Sequence, residues 1–178
     1  SDIADCWVAN PVGADSIRDL AADVLKHCPF DRFALAGLSM GGYVCLEIMR
    51  QAPSRVSRLA LLDTSARPDT DEQTRRRHAL VDLVRAGKFT EVVKLLLPAL
   101  VNRARSYDPE IVGTVWTMAR NVGQEAFYRQ EKAIIGRIDS RPHLGNIECP
   151  TLIICGRQDA ITPPELHEER SEEHTSEL

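Results

Sequence analysis

The most constraining stretch of the 178 residues runs from Phe33 to Met49, where an apolar segment, Phe33-Ala-Leu-Ala, meets Gly37-Leu-Ser-Met-Gly41 and turns into helical periodicity. A strand, a sharp turn and a helix in that order leave few folds open. The turn lifts the Ser39 hydroxyl clear of a sheet and sets the positive end of the following helix beside it. Gly37 and Gly41 suit such a turn because residues without a Cβ let strand and helix close on each other. The helix that follows is apolar nearly all round (Tyr43, Val44, Cys45, Leu46, Ile48, Met49), which predicts burial against a sheet.

The flanking segments extend the pattern. Residues 3–9 carry β-formers near their end and stop at Asn10-Pro11, so they read as a strand. Ile17, Leu20, Ala21, Val24 and Leu25 form one apolar stripe behind Ser16 and Asp19, spaced as a capping box, and Pro29 closes that helix. Val56 to Leu62 reads as a buried strand ending at Asp63, and Ile147 to Cys155 as another that runs into Gly156-Arg-Gln-Asp159. Alternation of strand and helix implies an α/β fold with a mostly parallel sheet of about four strands. Between Asp71 and Ile138 the period is helical throughout, with stripes at Ala79, Leu80, Leu83 and Val84, at Phe89, Val92, Val93 and Leu96, behind Asp108-Pro109, and at Phe127, Ile134 and Ile138. About seventy helical residues exceed one crossover, so they read as a helical cap of four segments inserted at the sheet's C-terminal edge, where ligands sit in open α/β folds, with a separate helical domain as the alternative.

Composition narrows the function classes. The net charge of −4, with no basic cluster larger than Arg75-Arg76-Arg77, lacks a nucleic-acid footprint, and no membrane span is indicated. Five scattered cysteines (Cys6, Cys28, Cys45, Cys149, Cys155) read as reduced, mostly buried thiols with neither a disulfide frame nor a metal-ligand spacing, which favours a reducing cytoplasm. No cofactor-binding glycine motif follows any strand, which disfavours a nucleotide-binding α/β domain; the partner expected is a small-molecule substrate, with no nucleic acid and no membrane.

Gly37-Leu-Ser-Met-Gly-Gly42, the helical insertion and Pro150-Thr-Leu-Ile-Ile-Cys-Gly-Arg-Gln-Asp159-Ala-Ile-Thr-Pro163 together resemble the α/β-hydrolase superfamily, with the elbow and four-helix cap similar to its enol-lactonase and esterase branch. The resemblance covers residues 1 to about 169. It implies a core of residues 1–67 and 140–169 with a cap at 68–139. It also implies Ser39 as nucleophile, the Met40 backbone N–H as one half of an oxyanion hole, and Asp159 as the acid that orients a histidine. The activity implied is hydrolysis of an ester, lactone or related acyl compound through an acyl-enzyme, without cofactor or metal. A ligand-binding protein on the same scaffold is the alternative. Asp63 is a rival acid, since some members carry it after the strand that follows the elbow helix, and its plainer reading is a turn residue. Tyr43, Trp116, Met118 and Phe127 read first as core and second as pocket lining.

The departures from the family pattern lie at the ends. No His-Gly oxyanion loop precedes residue 3, and the family's histidine follows a further strand beyond the acid. His27, His78 and His143 precede Asp159, and His167, eight residues past it, reads as a surface side chain. Residues 170–178, which include His174, match the in-frame translation of a sequencing adapter and read as no part of the fold. The chain is therefore expected to be a gene fragment cut at both ends, inactive as it stands, with the strands at 3–9 and 32–36 either facing a gap or slid together to pair directly.

Overall fold

In a computed structural model, residues 4–167 are described. Helix α1 spans Ile17–His27, strand β1 Phe33–Leu38, helix α2 Met40–Gln51 and strand β2 Val56–Leu62. Three further helices, α3 (Asp71–Arg85), α4 (Phe89–Leu100) and α5 (Pro109–Ile135), precede strand β3 (Thr151–Ile154). The sheet has the order β1-β2-β3 and every pairing is parallel.

Local chemistry explains most of these elements. Ser16 caps α1 by accepting the Asp19 N–H while its hydroxyl donates to the Asp19 carboxylate, and Ile17, Leu20, Ala21 and Val24 are the buried stripe. Thr70 and Gln73 form a reciprocal capping box on α3, and Asp108 caps α5 with Pro109 in its first turn. The helical insertion contains the four expected helical segments, but two of them lie in α5, divided at Gly123 (φ 74°, ψ 166°). That positive φ is open to glycine at little cost, so the axis breaks there without a proline.

The strand expected at 3–9 is not formed among the described residues. Residues 4–8 are exposed, with Val8 90% accessible, and the sheet has three described strands where about four were expected. β-propensity is realised only when a neighbouring strand takes up the backbone N–H and C=O groups, and none pairs with this segment. The chain is instead held at residues 11–15 by the insertion: Arg129 Nε donates to Val12 O, Gln130 Nε2 to Pro11 O, and Lys132 pairs with Asp15.

The core lies between one face of the sheet and the pair α1 and α2. Leu59 and Leu61 point into it from β2, and Ile48 and Leu46 meet them from α2. Burial of each such side chain contributes roughly 1.5–3 kcal/mol. In-register residues of parallel strands share a face, so Leu38, Leu62 and Ile154 stand together on the opposite side, as do Ala36, Ala60 and Leu152. On that side Leu38, Leu152 and Ile154 are exposed.

The insertion leaves and rejoins the core through a paired stem. Ser140 N–H donates to Ala66 O, and Arg137 donates from Nε to Arg67 O and from its terminal nitrogen to the Asp69 carboxylate at 2.6 Å. Asp69 also receives Arg77 at 2.7 Å, and Arg77 reaches Glu131 of α5 at 3.0 Å. The Arg137 guanidinium lies 4.4 Å from the Tyr43 ring of α2, which fastens the stem to the core. Because the Asp69 side chain is only 2% exposed, its removal leaves two cations without their shared partner. Asp69→Ala is expected to cost about 3–5 kcal/mol of stability, measured by urea unfolding against the parent protein.

Candidate active site

Ser39 occupies the single residue between β1 and α2, with φ 51° and ψ −117°, a backbone conformation that non-glycine residues rarely adopt. Strain of this kind costs on the order of 1–3 kcal/mol and survives only where the surroundings hold it. Three contacts do so. Ser39 N–H donates to Leu62 O, its carbonyl receives the Thr64 hydroxyl at 2.8 Å, and the same carbonyl accepts the Gly42 N–H. The Ser39 side chain is exposed and makes no hydrogen bond among the described residues.

The two glycines named from sequence differ in what they do. A Cβ on Gly37 would overlap the Gly41 carbonyl and the Cys45 sulfur, so strand and helix meet there by main-chain contact. Around Gly41 itself a Cβ would find open space, which corrects the expectation that its own lack of a side chain is needed for closure. That need falls on Gly42, whose Cβ would overlap the fully buried Thr64. Behind the elbow, burial pushes the Cys45 thiol up to about 12, so it stays protonated and packs as a small apolar group.

Met40 is the first residue of α2, where a backbone N–H has no acceptor inside the helix. Together with the helix dipole this makes the space beside Ser39 favourable to an oxyanion. No acidic residue stands in the first turn of α2 to oppose that field.

Asp159 lies on the turn after β3, at the same C-terminal edge as Ser39. Its Oδ1 accepts the N–H groups of Ile161 and Thr162 at 2.8 and 3.0 Å, and its Oδ2 accepts the Thr162 hydroxyl at 2.7 Å. Partial burial works against the charge. The Thr162 and Ile161 bonds and the nearby His167 nevertheless hold the carboxyl below its ordinary value. His167 is buried and not a surface residue as expected: the helical turn at 165–167 folds it over the acid's loop, with Nε2 3.0 Å from Thr162 O. Asp63 stands between the two turns, directly after β2.

The remaining histidines sit apart from this edge. His27 ends α1 beside Asp23, and His143 lies before β3, both toward the N-terminal end of the parallel strands. His78 is exposed on α3. Of the side chains expected in the core, Tyr43 is buried, Trp116 is half-buried and Phe127 packs on Phe89 at 5.6 Å, whereas Met118 is exposed. An open groove of about 560 Å³ runs through the insertion between Leu100, Val101, Ile111 and Val115, and Asn102 on its rim donates to Gln158 beside Asp159. A cleft of about 330 Å³ between Leu46, Met49, Arg50 and His143 lies at the end of α2 remote from Ser39. Expected residues 168 and 169 and the tail at 170–178, His174 included, fall outside the described residues.

All five cysteines are free, though only Cys45 is buried and Cys6 is exposed. Among the described residues no cluster of three or more His, Cys, Asp or Glu is placed to hold a metal ion, and no helix is long and apolar enough to cross a membrane.

Two expected outcomes follow from this geometry. Gly37→Ala and Gly42→Ala should each lose at least about 2 kcal/mol of stability while Gly41→Ala stays close to the parent, compared by thermal melting. The Asp159 carboxyl binds protons less readily folded than unfolded. Its contribution to stability is therefore full above its ordinary value of 3.8 and is lost as pH falls through the depressed folded value. Asp159→Asn should accordingly make stability fall less steeply on acidification in this range, followed by urea midpoints across a pH series.

Comparison with known proteins places this architecture. The α/β hydrolase fold family matches residues 1–176. A pimeloyl-[acyl-carrier protein] methyl ester esterase of Neisseria meningitidis is 28% identical over 169 residues, 92% of this chain and 53% of its own length. The 3-oxoadipate enol-lactonase 2 of Acinetobacter baylyi is 27% identical over 158 residues, 86% of this chain and 58% of its own length. Among solved structures, a thermophilic esterase from Thermogutta terrifontis superposes with a TM-score of 0.84 at 29% identity, covering 92% of this chain and 62% of that one. The chain spans about half the length of the curated relatives it matches. With the strand, strained serine turn and helix in place and the family matched along nearly its whole length, the chain belongs to the α/β hydrolase fold family.

Proposed function

We propose that the protein is a serine hydrolase of carboxylic esters, lactones or related acyl compounds, with Ser39 as nucleophile. The observation that carries this reading is the backbone of Ser39, strained at φ 51° on the one residue between β1 and α2, with its side chain turned out at the helix N-terminus. Strain held by three hydrogen bonds at an exposed serine has no use in stability. It has one in acyl transfer, where the hydroxyl must stand free to attack.

In this reading Ser39 Oγ adds to the substrate carbonyl, and the oxygen that gains charge lies against the Met40 N–H and the α2 dipole. A base takes the Ser39 proton during the attack and returns it to the leaving alcohol as the tetrahedral species collapses to the acyl-enzyme; the same base then deprotonates water, which releases the acid and restores the Ser39 hydroxyl. Asp159 would keep a base oriented, which requires that it stay ionised, and its depressed proton affinity supports that role. The base and a second oxyanion donor are not assigned to any described residue.

We place residues 68–139 over this edge as a cap, and the groove between Leu100, Val101, Ile111 and Val115 as a site for the apolar part of a small-molecule substrate. The free cysteines support a reducing compartment such as the cytoplasm. Because the matched relatives act on different acyl compounds by name, the substrate is proposed only to the level of its acyl class.

In the full-length protein, p-nitrophenyl acetate hydrolysis is expected to fall about 10⁴–10⁶-fold in kcat on Ser39→Ala, with KM little changed. A fluorophosphonate probe should label the parent protein at Ser39 and leave the variant unlabelled. An active, unlabelled parent whose rate survives Ser39→Ala would overturn the reading.

A further inference from the structure

Between the serine turn and the acid turn stands a three-residue piece, Leu62-Asp63-Thr64, whose contacts reach both. Leu62 O receives the Ser39 N–H, and the Thr64 hydroxyl donates to Ser39 O. On the other side, Asp63 N–H donates to Ile154 O at 3.0 Å, and the Asp63 carboxylate accepts the Gly156 N–H at 2.7 Å across 93 positions of sequence. Asp63 is, with Ser39, one of the two described non-glycine residues at positive φ, here 39°. A left-handed backbone on a residue with a Cβ costs about 1–2 kcal/mol, and that conformation is what carries the carboxylate sideways to the neighbouring turn.

The bonds that the Asp159 carboxylate accepts come from Ile161 and Thr162 in its own turn, and Asp159 N–H closes the turn on Gly156 O. These bonds shape the turn without setting its position against the sheet. Gly156 begins it, and Asp63 holds Gly156. From this we infer that Asp63 is a positioning residue: its carboxylate, through the Gly156 N–H, sets the acid turn and therefore Asp159 at a fixed place relative to Ser39. The inference rests on the serine hydrolase reading above. The bond from the Gly156 N–H to Asp63 Oδ1 is charge-assisted, the strong kind for holding a loop in place.

The test uses the full-length protein and four variants. Asp63→Asn keeps an oxygen able to accept the Gly156 N–H and tolerates positive φ. It should retain kcat within about threefold. Asp63→Gly takes the backbone angle freely and removes only the acceptor, so it folds and should lose about 10²-fold in kcat with KM nearly unchanged, the scale of a misplacement of about 1 Å. Asp159→Asn should lose on the order of 10⁴-fold. In ¹H–¹⁵N spectra the Gly156 amide proton should move upfield in Asp63→Gly and by a clearly smaller amount in Asp63→Asn, whose neutral oxygen still accepts the bond. Full activity in Asp63→Gly, or an unmoved Gly156 amide, would overturn the positioning role. A loss in Asp63→Asn as large as in Asp159→Asn would make Asp63 the acid itself. Survival of activity in Ser39→Ala fails the hydrolase reading instead, and the Gly156 shift reports on the clamp whichever way that result falls.

Discussion

Everything at the C-terminal edge depends on how closely β1 and α2 approach each other. The Gly37 main chain lies directly on the Gly41 carbonyl, and no residue with a Cβ fits at position 37. This contact leaves Ser39 only a single residue in which to reverse from strand to helix, and the strained φ is the geometric result. The strain is balanced by bonds to β2, so the elbow cannot relax without disturbing the central strand of the sheet. A strained residue at a site is thus supported by the best-buried of the three described strands.

The end of β2 carries more of the architecture than its polar composition suggests. Thr64 is fully buried, fills the space that Gly42 leaves open and donates to Ser39 O. One residue earlier, Asp63 reaches the other way to Gly156. The central strand therefore acts as a spacer between the two outer strands, and both turns that bear candidate site residues take their positions from it. Hydrogen bonds to main-chain groups suit this role, because they are directional and stay nearly fixed in length where apolar contacts would slide.

The insertion is tied to the core by charge as well as by Ala133 and Ile134 of α5, which belong to the buried apolar cluster. At its stem Asp69 serves two arginines, and the second carboxylate, Glu131, meets Arg77. Burial raises the Glu131 proton affinity despite that arginine, and Asp69 nearby adds to it. Arg77 is in turn held more firmly protonated, its two carboxylates outweighing its own burial. Removing charges from water is costly, and the return comes as definition: an ion pair inside protein accepts few alternative geometries. Arg137, donating to Arg67 O, Asp69 and Ile134 O while lying on Tyr43, fixes where the insertion joins the core.

What the sequence determined by itself is what its neighbours in the chain can decide. The caps at Ser16 and Asp108 and the apolar stripe of α1 rest on contacts a few residues apart, while the strand from Val56 to Leu62 and the reversal at Ser39 were legible from their local pattern although distant partners hold them. Four matters were settled only by tertiary structure. Residues 3–9 have the composition of a strand, but a strand needs a partner's hydrogen bonds and this segment has none among the described residues. His167 looked like a surface side chain until the acid turn folded beneath it. The demand for a missing Cβ moved from Gly41 to Gly42, because it depends on Thr64, 22 positions away. Asp63, legible only as a rival acid or a turn residue, bonds a main-chain N–H 93 positions on, and no local pattern encodes a contact across that distance.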